Sequence, residues 1–312
     1  MNQISLRFYD YICMKTQIRK LTQRFLFPTS LVLTALGAFY AIGLGVDPSA
    51  IPLSATVLFM VVVLVGERLM PRAARGAERG ETRADLGFVL LTALSDPLIH
   101  AMILTLVTAL AGWLPAGLAH GLPLWAGAAG VLVVGGLGDY WAHRLGHEWG
   151  WWWKLHAVHH APRRMVALNN LRLHPLDLGL KLTFAVAPVL LLGFSAPAIA
   201  VAGAIKGLNV AFQHADIDLR HGWLNRVIST NSVHRWHHSA QPEQANANYG
   251  GVLSLFDIAF GTYRVPAEDE EPTRMGLFDE QRYPIHEVTR STLAPLCWRR
   301  CVSGPSGPRP ER

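Results

Sequence analysis

The sequence reads as an all-α integral membrane protein, and three observations carry that reading. Apolar residues make up 51% of the 312-residue chain and charged residues only 16%, against roughly 25% charged in soluble domains. Mean hydropathy is positive, at +0.24. The apolar residues fall in helix-length runs, with basic residues beside them rather than spread over a polar surface. The net charge of +6 therefore fits basic membrane loops and not a nucleic-acid partner. The expected architecture is about four transmembrane helices plus a broken re-entrant helical hairpin, with a cytoplasmic helical cap.

Residues 1–29 form an arm carrying Lys15, Arg19, Lys20 and Arg24, with no continuous apolar stretch of the kind a signal peptide needs. Two runs follow, Ser30–Gly45 and Ile51–Gly66, separated by "VDPSA". Each is near the lower length limit for a span, since about 17–20 residues cross the hydrocarbon core. They read as a hairpin that, with the basic loop behind it, occupies 30–85. The third run covers Leu86–Leu114 and the fourth Leu124–His143. Asp96, Pro97 and His100 interrupt the third. An ionisable residue at membrane depth invites a functional reading; the simpler one, preferred here, starts the helix at Leu98 with Asp96 as its cap. The fifth apolar region, Leu178–Phe212, is broken by Pro188, Gly193 and Pro197 and is long enough to enter and return as two short helices.

Basic residues set the direction. The loop after the second run holds Arg68, Arg72, Arg75, Arg79 and Arg83, whereas loops 46–50 and 115–123 hold no Lys or Arg. By the positive-inside rule the N-terminus and everything after the fourth run are cytoplasmic. The cysteines, Cys13, Cys297 and Cys301, make no disulfide framework and are expected to be reduced.

Eight of the 14 histidines lie in three tight groups. "HRLGH" supplies His143 and His147. "HAVHH" supplies His156, His159 and His160. "HRWHH" supplies His234, His237 and His238. Residues three and four apart share one helix face, so each group can aim its imidazoles at one point. Packed imidazoles repel when protonated and waste hydrogen-bonding capacity when neutral; a metal that takes each lone pair removes both problems. Eight ligands exceed one ion, so two metals are expected. Zinc, copper, iron and nickel all accept neutral imidazole. No cysteine lies near, as a structural zinc site would want, and the Glu and Glu-x-x-His pattern of soluble di-iron bundles is missing. Glu148 is either a further ligand or a solvated helix residue. Asp139 is placed to accept the second N–H of the His143 ring, or is a polar residue at the interface.

The order H-x3-H, H-x2-H-H and, after an apolar hairpin, H-x2-H-H resembles the fatty acid hydroxylase/sterol desaturase superfamily of membrane histidine-box oxygenases. The surrounding segments "DYWAHRLGHEWGWWWKLHAVHHAP", "NNLRLHPLD" and "RWHHSAQPEQANANYGGVLSLFDIAFGTYRVP" carry the same resemblance. Within the superfamily the chain is most similar to bacterial sterol desaturase family proteins and alkylglycerol monooxygenase-like members. The resemblance covers about 86–266, implies a catalytic domain there, and leaves 267–312 as a polar, partly disordered tail. It implies two iron ions, dioxygen, and hydroxylation or desaturation of a lipid C–H bond, in a fatty acyl, alkylglycerol or sterol. Its electrons would come from a separate donor protein or reductant, or a pterin, since no G-x-G-x-x-G motif marks a fused redox domain. It implies a bacterial inner-membrane enzyme with its histidines on the cytoplasmic side. The eight histidines match the boxes one by one. His214 ends the hairpin where the family often adds a ligand. His174 lies in a family motif as a ligand or an orienting residue, and Asn248 in the "NYG" turn either accepts a hydrogen bond near the site or shapes the turn. The alternatives are a non-catalytic or electron-transfer metal-binding membrane protein, or a zinc hydrolase on the same histidines. Trp149, Trp151, Trp152 and Trp153 are expected to form an interfacial belt.

Overall fold

The computed structural model describes residues 3–72, 79–111, 117–265, 270–278, 283–298 and 302. Among them every regular element is a helix. The long ones are α1 (Gln3–Gly43), α2 (Ala50–Leu69), α3 (Arg79–Ala111), α4 (Leu124–Glu148), α6 (Pro175–Leu191) and α7 (Ala196–Gln213). The short ones are α5 (Gly150–His160), α8 (Asn231–His237), α9 (Pro242–Ala245), α10 (Leu255–Ala259) and α11 (Val288–Leu293). Three stretches, Cys13–Gly43, Ala50–Leu69 and Gly80–Ala111, are long and apolar enough to cross a membrane. Their outward faces are mostly apolar, with Leu36, Leu53, Leu94 and Leu98 all exposed, as a bilayer-facing surface requires; Lys15, Arg19 and Lys20 near the start of the first and His100 in the third are exposed as well.

The N-terminal arm is helical and continuous with the first run, through Pro28. The third run differs from expectation. α3 does not begin at Leu98 but runs unbroken through Pro97, and Asp96 lies beneath His100 one turn on, 3.3 Å from its Nδ1. A proline inside a helix removes one backbone hydrogen bond; a chain with its apolar pattern intact on both sides absorbs that cost.

The fifth region breaks as expected, but at one of its three breakers. Pro188 lies inside α6. Gly193, at φ +77°, ends that helix in the left-handed conformation that glycine adopts without strain. Pro197 opens α7 behind its N-cap Ser195, where its missing N–H costs nothing. The two arms do not pack mainly on each other. α6 leans on α3 and α4, α7 on α1, α2 and α4, so α4 is inserted between them. Glycine makes the insertion possible. A Cβ on Gly138 would overlap the Phe184 carbonyl of α6, one on Gly135 would come within 3.2 Å of Ala185 O, and one on Gly127 would press on Ala198 of α7. Small residues that let backbones approach are the usual means of helix packing in lipid.

Two buried ion clusters tie the histidine-bearing segments to this bundle. Arg164 pairs with Glu81 and Asp85, and Arg172, wholly buried, also reaches Asp85 at 3.2 Å. Arg235 pairs with Asp216 at 3.1 Å. Part of the tail beyond 266 packs as well: Leu277, Tyr283, Ile285 and Ala294 cover Ala157 and Ala161 at the end of α5. Cys297 is disulfide-bonded, which corrects the expected reduced thiol there; Cys13 is free and Cys301 lies outside the described residues.

Removing one partner of a buried pair leaves the other charge stranded, at a cost of about 3–5 kcal/mol. Asp85→Ala should lower the unfolding free energy in detergent by about that amount. Glu287→Ala, which breaks the exposed pair with Arg290, should cost about 0–1 kcal/mol. Equal, small losses in a denaturant titration would contradict this account of the bundle.

Candidate metal centre

Helix periodicity sorts the histidines. On α4, His143 and His147 are one turn apart, as are His156 and His160 on α5. His159 lies on a neighbouring face of α5. On α8 the sorting reverses: His234 and His238 share one direction and His237 takes the other. The result is two groups. His143, His147, His156, His160 and His237 form one; His159, His214, His234 and His238 form the other. Within each group the candidate ligand atoms all lie within 4.8 Å of one another, so each could hold a metal ion. The groups abut through stacked His160 and His238 rings, 4.3 Å apart. All nine are buried except His147, which is partly exposed.

The nitrogens are oriented as ligands would be. Oxygen acceptors face the Nδ1 atoms of five rings, whereas the Nδ1 atoms of His159, His160 and His234 have no partner among the described residues. His143 Nδ1 donates to Tyr249 O at 2.8 Å, His237 Nδ1 to Ala247 O at 2.7 Å, and His156 Nδ1 to Asp177 Oδ2 at 2.9 Å. His147 Nδ1 faces Asn246 Oδ1 at 3.2 Å and His214 Nδ1 faces Asn169 Oδ1 at 2.9 Å. Asn169 donates its own Nδ2 to Arg164 O at 2.7 Å, which fixes its oxygen toward the ring. A proton on Nδ1 leaves a lone pair on Nε2, and those lone pairs converge. His160 Nε2 lies 3.1 Å from His147 Nε2 and 3.2 Å from His156 Nε2. His234 Nε2 lies 3.0 Å from both His214 Nε2 and His238 Nε2. One shared proton can satisfy only one such pair, and His143 Nε2 and His237 Nε2 are buried with no partner among the described residues. Buried orphan acceptors are rare; here a metal on each group would occupy them.

The other sequence-derived candidates lie outside the two groups. Glu148 is exposed and bonded to Arg144 at 2.7 Å. Asp139 packs against Gly251 and lies 3.8 Å from Lys206, while the Tyr249 carbonyl takes the His143 proton. His174 caps α6, accepting from Leu176 N at 3.1 Å, and its Nε2 meets Thr292 O. Asn248 takes a positive φ of 56° and bonds Val233 O and Arg264 on both sides of its turn. Only Trp149 and Trp151 are exposed as a belt would be; Trp152 is buried, and Trp153 stacks on Phe278 at 5.1 Å.

Asp177, Asn169 and Asn246 were not singled out from the sequence. Asp177 matters most: fully buried, it accepts from Trp152 Nε1 at 2.7 Å through one oxygen and from His156 through the other. The available signal was its place in "NNLRLHPLD" together with the rule that a ligating histidine hands its second N–H to an oxygen.

Comparison with known proteins adds three findings. Residues 128–262 match the model of the fatty acid hydroxylase family. An ornithine lipid hydroxylase of Rhizobium tropici is 32% identical over 215 residues, which is 66% of this chain and 65% of that protein. Alkylglycerol monooxygenases of Caenorhabditis elegans and Homo sapiens are 31% and 30% identical over 43% of this chain, and the match spans 26% and 29% of their lengths. The chain thus spans just under two thirds of the first relative and under a third of the others. No solved structure matches it.

Burial pushes His156, His159, His160, His214, His234 and His238 well below the usual imidazole range, and His237 from 6.5 down to about 3. An unfolded chain therefore takes up protons below pH 6.5 that the folded chain refuses. The metal-free protein should hold constant stability above pH 6.5 and lose it progressively as pH falls from there toward 3. A melting temperature that stays flat across that window would contradict the packing described. Asp177→Asn should weaken metal retention by about 10–100-fold, read as metal content after dialysis against a chelator.

Proposed function

We propose, from the match of residues 128–262 to the fatty acid hydroxylase family, that this chain is a membrane di-iron oxygenase that hydroxylates a lipid. The observation that carries the reading is the pocket of nine histidines, eight of them buried, whose candidate ligand nitrogens converge in two groups. An all-imidazole set with no cysteine suits iron, and iron bound there supplies the reduction of dioxygen, which zinc has no redox chemistry to perform.

The chain's own residues supply the rest. His143, His147, His156, His160 and His237 would hold one ion; His159, His214, His234 and His238 would hold the other. Asp177, Asn169, Asn246 and the carbonyls of Tyr249 and Ala247 keep the ligand tautomers fixed and the rings oriented. Burial excludes water and keeps the imidazoles neutral. His147, the one partly exposed ligand, marks the accessible side of the pocket, beside Trp153, Tyr249 and Asn246.

In the membrane, α4 would join the three apolar spans as a fourth, with α6 and α7 as a re-entrant pair that returns both ends to the cytoplasmic face. The basic loops favour that sidedness. The substrate is a membrane lipid, since the named relatives act on an ornithine lipid and on alkylglycerols. Electrons come from a separate donor protein, a reductant or a pterin.

The test is lipid mass spectrometry of cells with and without the gene, alongside iron and zinc analysis of purified protein. A lipid class gaining one oxygen is expected, lost in His159→Ala and His237→Ala. Persistence of that product in both variants, or active protein that holds zinc and consumes no dioxygen, would refute the proposal.

A further inference from the structure

α2 carries no histidine, yet its last turn is built into the second histidine group. Gly66 lies so close to Ile217 that a Cβ there would come within 2.6 Å of Ile217 Cδ1. Just past the helix, Met70 O accepts from Asp218 N at 3.1 Å and Arg72 N donates to Asp216 O at 3.1 Å. Pro71 and Ile217 form an antiparallel bridge between these bonds. The end of α2 is thereby fixed to the segment that follows His214.

Glu67 stands inside this joint, half-buried. Its Oε1 accepts two backbone N–H groups, from Ala167 at 2.8 Å and from Asp216 at 2.9 Å. The two donors belong to different segments. Ala167 opens the short turn Ala167–Leu171 that carries Asn169. Asp216 lies two residues after His214. Asn169 Oδ1 faces His214 Nδ1 at 2.9 Å, and both residues are buried. One carboxylate oxygen therefore tethers, within two residues on either side, the ring and the oxygen that aims it. The bond from Asn169 Nδ2 to Arg164 O orients the amide within its own loop but does not set the distance from loop to ring. Asn170 ties that loop to Val210 O, one turn earlier on α7; Glu67 closes the other side. The tether also reaches α8, where the Asp216 carboxylate pairs with Arg235, next to His234.

Helix stability does not account for an acid here. The C-terminal turn of a helix favours cations and disfavours a carboxylate, and α2 is apolar enough to cross a membrane, where ionisable residues are costly. A carboxylate that takes two otherwise buried N–H groups offsets that cost, because hydrogen bonds to an ionised acceptor are the stronger kind. None of the oxygens that face the first group, on Tyr249, Ala247, Asp177 and Asn246, belongs to a residue that Glu67 touches.

We infer that Glu67 is a positioning residue for the second metal group alone, acting through Asn169 and His214. The inference rests on the two-ion part of the reading above and goes beyond it. Glu67 lies outside residues 128–262, which match the family, so that segment does not contain all the support of its own second group.

The experiment titrates metal-free, full-length protein in detergent with cobalt(II), followed by its visible absorption. Wild type should bind two ions, and His237→Ala and His238→Ala, one ligand from each group, assign the two constants. Asn169→Ala should weaken the second-group ion by about 10–100-fold and Glu67→Ala by about tenfold or more, with the first-group ion unchanged. The double variant should be no weaker than Asn169→Ala, since both act through one contact. Glu67→Gln keeps an acceptor of the same reach and should retain most of the affinity. Glu67→Asp keeps the charge, falls one methylene short and should lose it, which carries the test if Glu67→Ala does not fold. Equal weakening of both ions, full affinity in Glu67→Asp, or additive losses with Asn169→Ala would overturn the inference. Wild type that binds fewer than two ions would overturn it together with the di-iron reading. The expected cobalt pattern in a protein that makes no oxygenated lipid would fail the hydroxylase reading alone.

Discussion

Nine imidazoles, eight of them buried, share one pocket, and inner nitrogens in each group face one another at about hydrogen-bond distance. This constraint governs the rest of the structure. Each ring must be neutral, since a proton there would be buried among its like. Five of the rings are turned by oxygens outside the pocket. The carbonyls of Tyr249 and Ala247, the carboxylate of Asp177 and the amide oxygens of Asn169 and Asn246 do the turning. They come from segments far apart in sequence, so the fold has to deliver two layers, the rings and the oxygens that aim them. The ion clusters at Arg164–Glu81–Asp85–Arg172 and Arg235–Asp216 act at the next remove. They pin the loops on which those oxygens ride.

The bundle is arranged around the same need. α4 carries two of the rings and must sit at the centre, with α6 on one side to bring Asp177 and α7 on the other to bring His214. Its glycines at 127, 135 and 138 let both neighbours come close enough. In lipid no hydrophobic force draws helices together, so contact depends on close packing; a glycine-rich α4 gains there what it loses in helix propensity.

Much of this was legible in the sequence. Apolar runs and basic loops indicated an all-helical chain with membrane-length spans, and the box spacing brought eight of the nine clustered histidines into view at once. His214 was reachable only through resemblance, because a lone histidine at a helix end has no local pattern. Three things escaped because they depend on tertiary neighbours. Spacing cannot say which of His156, His159 and His160 goes to which group, since that depends on where α8 lies. Asp177 looks like any acidic residue in the first turn of a helix until Trp152 and His156 close on it. Asp139 stands at the correct helical spacing to hold His143, yet the backbone of a loop more than a hundred residues on does so instead. Pro97 misled for a related reason: a helix breaker stops a helix only when the flanking packing does not carry the chain through.

The division of the ligands also has a temporal side. His237 belongs to the first group, and His234 and His238 to the second, so neither group exists until residue 238 has left the ribosome and joined the bundle. The early helices must find one another before either group is complete. A metal held by either group would be captured at a closing step of folding rather than seed it, and the oxygens around five of the rings set their orientation before then.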